Sequence, residues 1–119
     1  MKILISAVGK EKTDDFDLRF GRGEFFQIID TETGEVKVIE NSGKSEDHGA
    51  GTVASQQAID ENVDVIITGH LGPNAFMLLS STDIELLSAK GGTVEEVLDK
   101  YNKKELEKIA SAGKSHKGI

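Results

Sequence analysis

Apolar residues along this chain fall into short runs of two kinds. Residues 2–8 (KILISAV) and 64–68 (DVIIT) are nearly continuous and rich in isoleucine and valine, the pattern of strands covered on both faces. Residues 25–30 (FFQIID) and 35–40 (EVKVIE) flank TETG, in which Gly34 can take a positive φ, and so predict a β-hairpin. Residues 84–89 (IELLSA) give a fifth strand.

Between these runs the apolar spacing becomes helical. Val53, Ala54, Gln57 and Ala58 line one side of a modest amphipathic helix over TVASQQAIDEN, ending near Asn62. Pro73 suits the first turn of a second helix, where its missing N–H costs nothing, and Ala75, Phe76 and Leu79 then share a face as far as Ser80 or Ser81. Thr93 followed by Glu96 is a capping box opening a third helix, with Val94, Val97, Leu98 and Tyr101 inward. Residues 103–110 are expected to add a turn or two, and 111–119 (SAGKSHKGI) to form a flexible tail after a domain spanning 1–110.

The order β-β-β-α-β-α-β-α is that of an α/β fold. Crossovers through helices join parallel strands, so strands 1, 3, 4 and 5 run one way and strand 2 the other. Right-handed crossovers give the sheet order 3-2-1-4-5, in which the winding reverses between strands 1 and 4. Ligands of open α/β sheets sit beyond the carboxyl ends of the strands near such a switch point. The connections 8–24, 41–50, 69–73 and 88–92 meet there, carrying most of the glycines with Arg22, Lys44, His48, His70 and Lys90.

A chain of 119 residues is one domain. Its formal charge of −7 argues against a nucleic-acid partner, which usually meets a net basic face. The absence of cysteine excludes disulfides and thiolate ligation, so a metal must use histidine, carboxylate, backbone or water. The apolar start is shorter than a signal segment and no membrane-length apolar run follows, so a cytoplasmic protein without a membrane partner is expected.

NSGKS suggests a phosphate loop, but that motif needs glycine where Val38 stands. DHGAG is better placed: Gly49 and Gly51 let backbone N–H groups approach a ligand, and the following helix directs its positive end at the loop. The alternative is a tight strand-to-helix turn with His48 exposed in solvent. GHLGPNAF sets His70 beside the switch point, where imidazole can ligate a metal or pair with an anion, or where His70 and Asn74 simply hold the turn. DLRFGRGEFF brings Asp17, Arg19 and Arg22 to the same edge, with Phe20 as an anchor. Arg22 can clamp an anion or form a surface pair with Asp17. His116, in the tail, is assigned no role.

DLRFGRGEFFQIID, DHGAGTVASQQAIDENVDVIITGHLGPNAF and AKGGTVEEVL together resemble the dinitrogenase iron–molybdenum cofactor biosynthesis family, the NifX-like proteins and the C-terminal domain of NifB. The resemblance implies a three-layer α/β/α, ribonuclease-H-like fold with a mixed five-stranded sheet. It also implies a non-enzymatic carrier of the iron–molybdenum cofactor or its iron–sulfur precursor, with a metallocofactor donor or acceptor protein as partner and a monomer or weak homodimer as its state. His48 and His70 are then the candidate metal ligands. Arg22, the amides at Gly49 and Gly51, and Asn74 complete the cofactor-binding set.

Two other readings stay open. Ribonuclease-H-like folds also host metal-dependent phosphoryl hydrolases, although here Ser6 and Val8 stand where strand 1 would supply its acid and Asp64 sits at the wrong end of its strand. A regulatory protein-interaction domain is the other.

Overall fold

A computed structural model of the chain describes residues 1–46 and 48–113. Five strands form where the apolar runs place them: β1 (Lys2–Ala7), β2 (Phe25–Asp30), β3 (Val36–Glu40), β4 (Val65–Thr68) and β5 (Glu85–Ser88). The helices are α1 (Ala50–Asp60), α2 (Pro73–Ser80) and α3 (Val94–Asn102). The sheet order is β3-β2-β1-β4-β5-β6, with β1, β4 and β5 parallel and β2 antiparallel to both neighbours.

The expected five-stranded sheet is therefore six-stranded. Residues 103–110 do not extend a helix: β6 (Glu107–Lys108) pairs antiparallel with the edge of β5. Lys104 turns the chain with a φ of 59°, ending the helix one residue after its C-cap. From the expected tail, Gly113 donates its N–H to the Leu71 carbonyl at 2.7 Å. Residues 114–119, His116 among them, lie outside the described residues.

Strand periodicity divides the interior in two. Leu4, Phe26, Ile28, Ile66 and Leu86 face α1 and α2, packing on Ala54, Ala58, Ala75 and Leu79. Ile3, Ile5, Ile29, Val65, Ile67 and Leu87 face the other way, onto Val94 and Val97 of α3. The result is three layers, with α1 and α2 on one side of the sheet and α3 on the other. Both faces of β1 and β4 are buried, which is why their sequences are continuous in apolar residues rather than alternating.

The loop between β1 and β2 crosses the carboxyl edge of the sheet. Phe16 enters the α3 side of the core and Phe20 the α1 side, where its ring stacks on Phe26 at 5.4 Å. Fully buried Gln27 holds the start of this loop, its Nε2 donating to the carbonyls of Gly9 at 3.0 Å and Glu11 at 2.9 Å.

The α3 capping box is complete: Thr93 Oγ1 accepts from the Glu96 N–H at 3.1 Å, and Glu96 returns a bond to the Thr93 N–H at 2.8 Å. Those hydrogen bonds hold the Glu96 carboxyl below its ordinary pKa, the bond from the Thr93 backbone first. A depressed carboxyl stabilises the fold above its unfolded-state pKa, and this support is lost as pH falls through the folded value. Thr93→Ala should cost about 1 kcal/mol, read as a lower denaturation midpoint at unchanged m-value. In an NMR titration Glu96 should have a midpoint below that of an ordinary glutamate in the wild type and nearer to it in T93A.

Candidate functional site

A recess of about 300 Å³ opens at the carboxyl edge of β1 and β4. That volume lies at the small end of ligand sites. Three segments make its wall. The β1–β2 loop contributes Arg19, Phe20, Gly21 and Arg22, the start of α1 contributes residues 49–52, and the β4–α2 connection contributes His70 and residues 72–75.

Both helices that face the recess begin without a side-chain cap. The N-cap of α1 is Gly49, at φ 74° and ψ 22°, and that of α2 is Gly72. Neither glycine has a side chain with which to accept from the first-turn N–H groups, so each helix directs the partial positive charge of its N-terminus at the recess. In α3, on the other face of the sheet, the Glu96 N–H is satisfied by Thr93 of the capping box, and the N–H groups of Val94 and Glu95 donate to the carbonyls of Asp14 and Lys12.

Close backbone packing brings these segments together. A Cβ at Gly21 would lie 2.9 Å from the Gly51 nitrogen. At Gly43 it would collide with the Ala50 carbonyl oxygen and lie 2.8 Å from that of Gly21. Gly43 sits in a 3₁₀ turn (Ser42–Ser45), whose preceding Asn41 is fully buried. Asn41 accepts from the Gly43 N–H at 2.9 Å and donates to the Phe20 carbonyl at 2.8 Å, tying this turn to the β1–β2 loop. NSGKS is thus a structural turn. Lys44 bridges Glu24 and Glu40, both at 3.3 Å, and these hydrogen bonds, that to Glu40 first, raise its pKa.

Of the residues expected at the site, Arg22, Gly49, Gly51, His70 and Asn74 line the recess, whereas His48 is exposed beside Gly49 and does not. Gly51 has a packing reason of its own, since the Ala75 methyl lies 3.2 Å from where its Cβ would be. Arg22 donates to the Glu46 carbonyl, fastening the β1–β2 loop to the segment before α1.

Asp17 pairs with Arg19 rather than with Arg22. Its carboxylate, on a residue only 5% exposed, receives Nε and Nη2 of Arg19, each at 3.1 Å, and also the Arg19 backbone N–H at 2.9 Å. These hydrogen bonds, and then the Asp17 charge, raise the Arg19 pKa above its ordinary value. Arg19 also forms a parallel bridge with His70, setting the two residues side by side. The available signal was the Asp-x-Arg spacing, because an aspartate readily bonds the backbone two residues on.

His70 has a second neighbour, Gly113, whose missing Cβ would lie 3.4 Å from both Cβ and Cδ2 of the histidine. At the end of β1, Ser6 bonds to Thr68 at 2.9 Å and to the Asp17 carbonyl, so no strand-end acid stands there. Among the described residues no group of three or more His, Asp or Glu side chains is arranged to hold a metal ion. Also among them, no helix is long and apolar enough to cross a membrane.

The family model described as dinitrogenase iron–molybdenum cofactor matches residues 1–104. The chain belongs to that family. It is similar to an uncharacterised protein of Methanocaldococcus jannaschii, with 32% identity over 93 residues, covering 76% of this chain and 79% of the relative. Among solved structures it resembles the apo form of the orange protein from Desulfovibrio gigas, with a TM-score of 0.88 and 27% identity over 94% of this chain and 95% of that one. A Thermotoga protein with a provisional NifB designation gives 0.83 and 33% identity over 94% and 96% of the two chains.

The glycines of the site make separable demands. Gly49→Ala meets no atom but forces a left-handed residue, and should cost about 1 kcal/mol. Gly43→Ala must displace backbone and should cost more than about 2 kcal/mol. Denaturant unfolding of the two variants checks this order.

Proposed function

We propose that this protein is a small non-enzymatic carrier that holds the iron–molybdenum cofactor, or an iron–sulfur precursor of it, as cargo at the carboxyl edge of the sheet. The observation that carries this reading is the meeting of two uncapped helix N-termini, two arginines and His70 around one recess, on a chain of net charge −7. A concentration of N–H donors and helix-end partial charge in an otherwise acidic molecule suits an anionic guest. Membership of the cofactor family supports the choice of guest. Likeness to a protein described in an apo form supports a ligand-carrying role.

The donor set fits a cluster held by few bonds. Without cysteine and without a three-ligand metal group among the described residues, the protein offers imidazole and N–H donors rather than a cage. His70, in the recess wall, supplies the metal ligand. Amides at Gly49 and Gly51, with Arg22 and Asn74, meet the sulfide and acid groups of the cargo. His48, on the exposed lip, is a second ligand that engages as the cargo enters. Sparse ligation in an open recess also suits transfer between a donor and an acceptor protein, since few bonds must break at each exchange.

Anaerobic titration with isolated iron–molybdenum cofactor, followed by visible absorption and bound molybdenum, tests this. Stoichiometric uptake by the wild type is expected, weakened about tenfold or more in His70→Ala, which corresponds to about 1.4 kcal/mol. A smaller loss is expected in His48→Ala. No uptake by the wild type would remove the carrier reading, and unchanged affinity in both variants would remove the ligation.

A further inference from the structure

We infer that Arg19, oriented by the buried carboxylate of Asp17, is a specificity-determining residue of this recess: a fixed hydrogen-bond fork that selects anions with two acceptor atoms along one edge. This rests on the recess being an anion site, as proposed above, and adds which anions it prefers and why.

The geometry starts from Asp17. Its backbone is locked to the end of β1, its N–H donating to the Ser6 carbonyl at 2.8 Å and its carbonyl accepting from the Ser6 hydroxyl. Its side chain is enclosed, and a Cβ at Gly23 would lie 3.1 Å from Oδ2 and 2.7 Å from the Arg19 carbonyl oxygen. A carboxylate at the base of an anion site repels the ligand and costs desolvation, so its presence there calls for a compensating role. That role is visible in its bonds, which fix both the backbone and the guanidinium of Arg19.

Guanidinium has five N–H groups in a rigid plane. Asp17 occupies the edge formed by Nε and Nη2, leaving the end-on edge, with parallel N–H groups on Nη1 and Nη2, directed away from the carboxylate. The Arg19 side chain is 50% exposed and lines the recess, so this edge is within reach of a ligand. Because the pair is nearly neutral, Arg19 adds little net attraction for anions in general. It adds a matched pair of donors for an oxo or sulfido edge, the geometry in which arginine and lysine are least interchangeable.

The test uses molybdate, a tetrahedral dianion with oxygen edges, titrated into the full chain and followed by NMR at the Arg19 Nε–H and the first-turn amides of α1. Arg19→Lys keeps the charge and removes the fork, and should weaken molybdate binding about tenfold. Asp17→Asn keeps one acceptor oxygen but sets an amide N–H against Nη2, loosening the fork, and removes the compensating charge. Loss of charge alone would raise the preference for the dianion molybdate over chloride, whereas a loosened fork should lower it severalfold. A fall in that preference is therefore a readout that a merely structural or charge role would not give.

Arg19→Lys is made on a half-exposed side chain and carries the test even if D17N fails to fold. Wild-type affinity in R19K, an undiminished preference for molybdate over chloride in a folded D17N, or failure of the wild type to bind molybdate would each overturn the inference. Cofactor uptake by the wild type with no loss in R19K would refute the fork and leave the carrier reading standing. Molybdate binding that depends on Arg19, without cofactor uptake, would do the reverse.

Discussion

Three stretches of backbone pass one another at the carboxyl edge of the sheet with no room for a side chain between them, and the site depends on that approach. Gly21 lies against the first turn of α1, and Gly43 lies between the Ala50 and Gly21 carbonyls. This proximity places the β1–β2 loop, with both arginines, against a helix N-terminus. Asn41 completes the arrangement from below, one amide serving the 3₁₀ turn and the loop together. A side chain at either glycine would push the loop off α1 and separate the cations from the helix donors.

The site gathers positive potential from three sources that differ in strength and reach. Helix ends contribute partial charges fixed in direction, which act within about one turn. The arginines contribute guanidinium donors, Arg19 paired with Asp17 and Arg22 donating to the Glu46 carbonyl. His70 adds a nitrogen that can serve a metal as well as a proton. Together these groups are the ones on which the proposed anion binding rests.

Much of the fold was legible in the sequence because its signals are local. Continuous apolar runs identified β1 and β4, Pro73 fixed the start of α2, and the Thr93–Glu96 pair fixed α3. The winding reversal followed from the element order alone, and with it the edge where the loops converge. β6 was not legible: Glu107 and Lys108 are exposed, and the strand exists because the edge of β5 offers unpaired backbone groups, a tertiary cause without a local signature. Element order likewise placed two histidines at one edge but could not say which of them borders the recess. The left-handed Gly49 leaves His48 on the lip, while pairing with Arg19 holds the backbone of His70 in the wall. Of the two alternatives open to Arg22, the pair with Asp17 does not form, because the nearer Arg19 is selected by a two-residue turn rather than by its charge.

The docking of Gly113 on Leu71, beside the His70 ring, has a practical side. It sets the chain at Gly113 against the side chain of a residue that lines the recess. Met1, by contrast, precedes β1 at the opposite edge, its amino group 3.9 Å from Glu32 in the turn between β2 and β3. An affinity tag or fused reporter belongs at the amino end, on the edge of the sheet away from the recess.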